Sequence, residues 1–111
     1  MDPLNADREL IERILLDQTR VPYSHGDIQF ETLFDREKDR YSVMLVGWEG
    51  IRRVHGALVH VDLIDGKFWI QRDGTEYGIA CELIDAGIPK NRIVLAFNAP
   101  ELRKDTEFAY A

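Results

Sequence analysis

An Asp-Gly pair at Asp65 and Gly66 separates two segments in which apolar and polar residues alternate. Both residue types tolerate the positive φ angles of a type I′ turn, so the pair is a strong indication of a two-residue β-hairpin. Such a turn also fixes how the two strands pair. The predicted partners are Ile64 with Lys67, Leu63 with Phe68, Asp62 with Trp69, Val61 with Ile70, and His60 with Gln71.

Side chains alternate across a β-sheet, so this hairpin has two chemically different faces. One face is apolar and is expected in the core; it carries Val59, Val61, Leu63, Phe68 and Ile70. The opposite face is both polar and aromatic; it carries His60, Asp62, Trp69 and Gln71. We interpret this second face as the candidate binding face of the protein.

The other elements are predicted from apolar periodicity and from turn residues. The predicted order is a helix over 7–19, a loop over 22–27, strands over 28–34, 41–48 and 51–64, a strand from Lys67, a helix over 75–86 and a strand over 93–97. Asp73, with Glu76 or Thr75, is interpreted as the cap of the second helix, and Gly87 as its stop. The result is an α+β fold in the order α-β-β-β-β-α-β, with a mainly antiparallel sheet of about five strands and two helices.

Composition limits the function classes. The 111 residues, 45% of them hydrophobic, suit a single domain over 1–111. A net charge of -6 repels phosphate, so direct nucleic-acid binding lacks its usual electrostatic source. The single Cys81 cannot form an internal disulfide, and there is no signal-peptide pattern or stretch of about 20 apolar residues. We therefore expect a cytoplasmic protein with no membrane contact.

Several segments resemble the XisI family, also called the fdxN element excision controlling factor. They are GWEG at 47–50, RRVHG at 52–56, HVDLIDGKFWIQRDGTE at 60–76, GIA at 78–80, GIPK at 87–90 and TEFAYA at 106–111. The resemblance implies a small α+β protein, found chiefly in cyanobacteria, whose founding member is needed for programmed excision of a DNA element. A separate recombinase cuts and joins the DNA, and XisI acts with a companion called XisH. The resemblance therefore implies an accessory protein with a XisH-like partner, and it supplies no catalytic residue and no cofactor.

His60 and Asp62 lie two positions apart on one strand and therefore project together. This spacing suits two metal ligands or an imidazole oriented by a carboxylate. A third ligand could come from His55, Asp65 or Asp73, but none of these lies at a diagnostic interval, so no metal site is predicted. A small metal-dependent enzyme or ligand-binding protein that uses His60 and Asp62 is the alternative to a non-enzymatic accessory protein.

Both faces of the central strands carry large apolar groups, which predicts a protein interface. Two helices do not readily cover both faces of a five-stranded sheet, so the surplus should contact a second copy of the chain or a XisH-like partner. A bulge expected at Gly56 decides whether Trp48 and Trp69 share a face. The candidate interface residues are Trp48, Arg52, Arg53, Phe108 and Tyr110. Weak direct DNA binding, through a basic surface in which Arg52 and Arg53 lie near Arg40, is a further alternative.

Overall fold

The computed structural model describes residues 3–20 and 26–111. The elements, in chain order, are α1 (Pro3–Gln18), β1 (Asp27–Asp35), β2 (Arg40–Glu49), β3 (Arg52–Ile64), β4 (Lys67–Asp73), α2 (Ile79–Asp85), a 3₁₀ turn (Lys90–Arg92), β5 (Ile93–Leu95) and α3 (Pro100–Arg103). The predicted order is confirmed, with the 3₁₀ turn and α3 as additions. The loop predicted over 22–27 lies mostly outside the described residues.

The strands form one sheet in the order β1-β2-β3-β4-β5. The first four strands are antiparallel neighbours, whereas β5 runs parallel to β4. Parallel neighbours need a crossover connection, and α2 lies in the one that leads from β4 to β5. The mainly antiparallel α+β class predicted from the sequence is thereby confirmed.

Both α1 and α2 pack on the same face of this sheet, which we call the helix-covered face. Ile11 and Leu15 of α1 and Ile79 and Leu83 of α2 have no exposed surface. They join one core cluster with buried strand residues, namely Tyr41, Val43, Val59, Val61, Leu63, Phe68, Ile70 and Ile93. The five residues assigned to the core face of the hairpin are all in this cluster.

The hairpin at Asp65 and Gly66 has the predicted turn and nearly the predicted pairing. Their φ angles are 50° and 76°, both positive as a type I′ turn requires. The four predicted pairs nearest the turn are observed, but His60 pairs with Arg72 instead of Gln71. Gln71 is the extra residue of a bulge, and the shifted pairing continues to Gly74, whose N–H donates to the Leu58 carbonyl at 2.8 Å.

A second bulge lies in β3 at Leu58, not at Gly56 as predicted. Val43 pairs with Val59 and Met44 with Ala57, which leaves Leu58 as the extra residue. Without it, the turn between β2 and β3 would place His60 and Asp62 on the helix-covered face. The bulge instead aligns Val59 with buried Val43, so burial of apolar side chains accounts for its position.

The second helix begins at Ile79, later than predicted, because Asp73 orders the preceding turn. One carboxylate oxygen of Asp73 accepts from the backbone N–H and the hydroxyl of Thr75, at 3.0 and 2.6 Å. The other accepts the backbone N–H of Ile79 at 2.7 Å. The N-cap position is Gly78, so the cap predicted from Asp73 with Glu76 or Thr75 was wrong in position, although Asp73 does accept the first backbone N–H of the helix.

The C-terminal segment adds no further strand. Ala109 forms only an isolated parallel bridge with Val94. Val94 is fully buried and lies outside the core cluster, because its position on β5 faces away from the helices. The final residues therefore cover the β5 end of the sheet's opposite face.

Asp39, in the turn between β1 and β2, connects α1 to the sheet. Its carboxylate accepts two hydrogen bonds from Arg8, at 2.6 and 3.1 Å, and one from the Tyr41 hydroxyl at 3.0 Å. The Arg8 guanidinium lowers the pKa of Asp39. Burial, with Asp39 close by, raises the pKa of Tyr41 to about 12.

The substitution Asp39→Asn tests this connection. Asp39 has φ 54°, a conformation that Asn tolerates, so the change removes charge without adding backbone strain. We expect urea denaturation at about pH 7 to show a loss of about 1–2 kcal/mol. Because the folded-state pKa of Asp39 is depressed, its contribution is present above about pH 4 and is lost as the pH falls further, so the difference from the wild type should shrink there.

Asp65→Asn is the matched control, since Asp65 also has a positive φ (50°) and forms no ion pair with any residue in the described ranges. We expect it to change stability by less than about 0.5 kcal/mol. Equal losses from the two substitutions would contradict a specific role for Asp39.

Candidate binding face

The sheet face opposite the helices is the candidate binding face, and we call it the outer face. Strand alternation and pairing place these side chains on it: Leu33 of β1, Ser42, Met44, Val46 and Trp48 of β2, His60 and Asp62 of β3, and Trp69 and Gln71 of β4. All four residues proposed from the hairpin are included. Trp48 joins them because of the bulge at Leu58.

His60, Asp62 and Gln71 form a hydrogen-bonded cluster on the outer face. His60 Nε2 lies 2.8 Å from Asp62 Oδ1, and Gln71 Nε2 donates to Asp62 Oδ2 at 3.3 Å. An ionised carboxylate only accepts hydrogen bonds, so Nε2 of His60 carries the proton. Nδ1 is then the free acceptor of a neutral imidazole. The side chains of His60 and Asp62 are 37% and 14% exposed, so Asp62 holds a ring that remains accessible.

This cluster orients the His60 imidazole but has neither the further ligands of a metal site nor a nucleophile that is hydrogen-bonded to the ring. Within residues 3–20 and 26–111, no three His, Cys, Asp or Glu side chains are grouped to hold a metal ion. Ser42 is the strand neighbour of His60, yet no hydrogen bond joins the Ser42 hydroxyl to the ring. A nucleophile activated by a base needs such a bond, although it is often loose before substrate binds.

The other aromatic member, Trp69, is partly covered by the chain's own C-terminal segment. The Arg103 guanidinium lies 5.5 Å from the centre of its ring. Arg103 is held by hydrogen bonds to the carbonyls of Ala96 and Asn98, at 3.2 and 3.1 Å. Together with the buried Val94, this contact closes the β4–β5 end of the outer face.

The β1–β2 side of the outer face is open and carries four apolar residues, beside the exposed Gln29 and Glu31 of β1. Leu33 and Trp48 are 58% and 48% exposed, and Met44 and Val46 are half-buried between them. We call these four residues the open patch. Arg53 lies over the Trp48 ring, 5.0 Å from its centre, and forms the rim of the patch.

The predicted interface residues are not all brought together. Trp48 and Arg53 meet at the open patch, whereas Arg52 forms an ion pair with Glu49 at 3.2 Å. Phe108 is half-buried against the core, and so contributes to the protein's own packing, and Tyr110 is exposed near the C-terminus.

The predicted basic surface does not form. Arg40 pairs with Asp62 at one end of β2, and Arg52 pairs with Glu49 at the other. These ends are about 30 Å apart at about 3.3 Å per residue. The expectation that Arg40 lies near Arg52 and Arg53 was therefore wrong, because an antiparallel pair places them at opposite ends.

Sequence reasoning missed the neighbours of His60 on β1 and β2. A cleft of about 670 Å³ lies beside the ring and is lined by Thr32, Leu33, Phe34, Asp35, Arg36, Arg40, Ser42 and His60. The pairing of β1 with β2 through the charged loop at 35–40 places Leu33 opposite Ser42, and Ser42 is opposite His60. The charged loop has no Asp-Gly turn signal, so the hairpin argument did not extend to it.

The fold and this face define a class: an α+β protein whose five-stranded sheet has both main helices on one face and an open patch on the other. The chain belongs to the XisI family, since the family model described as XisI protein matches residues 1–110. No helix in the described part of the chain has the length and apolar character needed to cross a membrane.

Two solved structures are similar along their full length. A XisI-like protein from Anabaena variabilis is 33% identical, with a TM-score of 0.90 over 97% of this chain and 99% of the other. The fdxN element excision controlling factor XisI from Anabaena variabilis is 32% identical, with a TM-score of 0.86 over 99% of this chain and 100% of the other. A comparison with curated proteins gave no match.

The hydrogen bond between His60 and Asp62 has a direct spectroscopic test. At alkaline pH, we expect long-range ¹H–¹⁵N spectra to show the proton of His60 on Nε2, because the Asp62 carboxylate accepts it. Asp62→Asn should yield a mixture of tautomers, since an amide can accept or donate. An Nδ1–H tautomer in the wild-type protein would contradict the geometry described here.

Proposed function

We propose that this chain is an accessory protein in the control of programmed DNA element excision, and that it acts by binding a XisH-like protein and not by catalysis. Support for the process comes from the family and from the similar Anabaena structure named as an excision controlling factor. Support for the mode of action comes from the open patch.

The open patch is the observation that carries the binding proposal. Leu33 and Trp48 expose large apolar surfaces on the part of the outer face that lies away from both α1 and α2 and from the contact of Arg103 with Trp69. A contiguous exposed apolar patch with a polar rim is typical of a protein interface. Trp and Arg are also the residues most enriched at interface hot spots, and here Arg53 already lies against Trp48.

Charge favours a protein over nucleic acid as the partner. The net charge of -6 opposes a polyanion, and the arginines predicted to form a basic surface are separated or paired. Apolar contacts at Leu33 and Trp48 contribute to protein binding at any salt concentration. We therefore expect complex formation to depend only weakly on ionic strength.

Self-association follows from the same patch. In the absence of a XisH-like protein, two copies of the chain can bury their open patches against each other, which gives a homo-oligomer. We expect light scattering to show a dimer that is replaced by a mixed complex when the partner is added. A partner that joins the dimer without dissociating it would show that the two contacts use different surfaces.

Trp48→Ala and Leu33→Ser test the open patch. Burial of hot-spot side chains is worth about 2 kcal/mol each, so each substitution should weaken binding to the XisH-like protein of the same genome by about 30-fold in calorimetry. Thermal stability should change little, because both side chains are about half exposed in the free chain.

The matched controls are Tyr110→Ala and Leu16→Ser. These side chains are 61% and 45% exposed but lie outside the patch, near the C-terminus and on α1. We expect both to bind like the wild type. If Leu16→Ser weakened binding and Leu33→Ser did not, the interface would lie on the helices, and the proposal would be overturned.

A further inference from the structure

The cleft beside His60 contains three polar groups that have no hydrogen-bond or ion-pair partner among the described residues. The guanidinium of Arg40 forms no ion pair within 4.0 Å, and the hydroxyl of Ser42 forms no hydrogen bond, with any residue in the described ranges. Nδ1 of His60 is also without a hydrogen-bond partner there, because Nε2 makes the contact with Asp62. The three residues line the same cavity.

Their neighbours explain why these groups remain available. Asp35 and Asp62 are both strand partners of Arg40, but their carboxylates have other contacts. Asp35 Oδ1 accepts the backbone N–H groups of Glu37 and Lys38, at 3.0 and 3.1 Å, and the oxygens of Asp62 contact His60 and Gln71. Arg36, also at the cleft, is held by Glu12 of α1 through two bonds of 2.8 Å. Arg40 is therefore the cation at the cleft that is free for a ligand.

The residues that line the cleft determine which ligand groups can bind there. Arg40 and Ser42 donate hydrogen bonds and suit a carboxylate. Nδ1 of a neutral His60 accepts and suits an N–H group. Leu33 supplies an apolar wall and is also a member of the open patch.

We propose that this cleft binds an acidic side chain, next to an apolar one, in an extended peptide segment of the protein that docks on the open patch. A peptide carries a carboxylate, a backbone N–H and an apolar side chain close together, and Arg40, His60 and Leu33, which line one cleft, are the complementary groups. This assignment rests on the proposed function, because the segment belongs to the docking partner. It specifies what the partner segment must carry, namely an acidic side chain next to an apolar one.

A duplex nucleic acid fits the cleft less well. Its backbone presents only acceptors, which leaves Nδ1 of His60 unmatched. One free arginine also provides little of the counterion release on which phosphate binding depends. The cleft is open, and its volume of about 670 Å³ leaves room for a few side chains.

The test uses the isolated full-length chain and two synthetic pentapeptides, acetyl-Gly-Leu-Glu-Leu-Gly-amide and the same peptide with Gln in place of Glu. We expect the acidic peptide to shift the amide resonances of Leu33, Arg40, Ser42 and His60 in a saturable way. The Gln peptide should bind about tenfold more weakly. Equal binding of both peptides, or shifts that avoid the cleft, would overturn the proposal. Shifts of the cleft resonances by a short DNA duplex, with none from the acidic peptide, would also overturn it.

Arg40→Gln should reduce binding of the acidic peptide about tenfold and leave the Gln peptide unaffected. Arg13→Gln is the matched control, because Arg13 is an exposed arginine of α1 that also forms no ion pair in the described part of the chain. It removes the same charge far from the cleft. An equal loss in both variants would indicate a net-charge effect and contradict a site at Arg40.

Binding of the XisH-like protein separates this proposal from the one before it. If that protein binds the wild type and Arg40→Gln equally well but not Trp48→Ala, the docking function stands and the cleft assignment fails. If it does not bind the wild type, the proposed function fails. The peptide titration then still decides whether the cleft has the stated chemistry.

Discussion

The extra residue Leu58 in β3 determines which side chains each face of the sheet presents. Side chains alternate between the two faces along a strand, so one inserted residue moves every side chain that follows it to the opposite face of the sheet. The bulge places Val59 and Val61 under the helices, where they meet Val43 and Tyr41. It also places His60 and Asp62 on the same face as Trp48. The packing of the core therefore determines which side chains lie on the outer face.

The two faces of the sheet have different roles. The helix-covered face holds the core, and Asp39 connects α1 to the sheet through Arg8. The outer face is divided again, because the C-terminal segment covers Trp69 and Val94 and leaves the β1–β2 side uncovered. The open patch and the cleft meet at Leu33, so apolar docking and recognition of a carboxylate would occur at one continuous surface.

Local sequence signals predicted much of this fold. The Asp65-Gly66 turn predicted the hairpin and the pairs nearest to it, and apolar periodicity predicted α1 and α2. The bulges could not be found in this way, since their positions depend on the packing of two strands at once; Gly56 was a reasonable local choice and was wrong. The contact between Arg103 and Trp69 is equally non-local. The neighbours of His60 were missed because the charged loop at 35–40 has no turn signal that fixes the pairing of β1 with β2.

Side-chain footprinting by hydroxyl radicals, on the complex with a XisH-like protein, tests most directly whether the outer face is the docking surface. Met and Trp are reactive probes, and Met44 and Trp48 lie in the open patch. Our account requires that Leu33, Met44 and Trp48 become protected in the complex. Leu16 of α1 and Tyr77, an exposed residue that precedes α2 and lies beside both helices, should remain as reactive as in the free chain. Protection of Leu16 and Tyr77 with an unchanged outer face would contradict it.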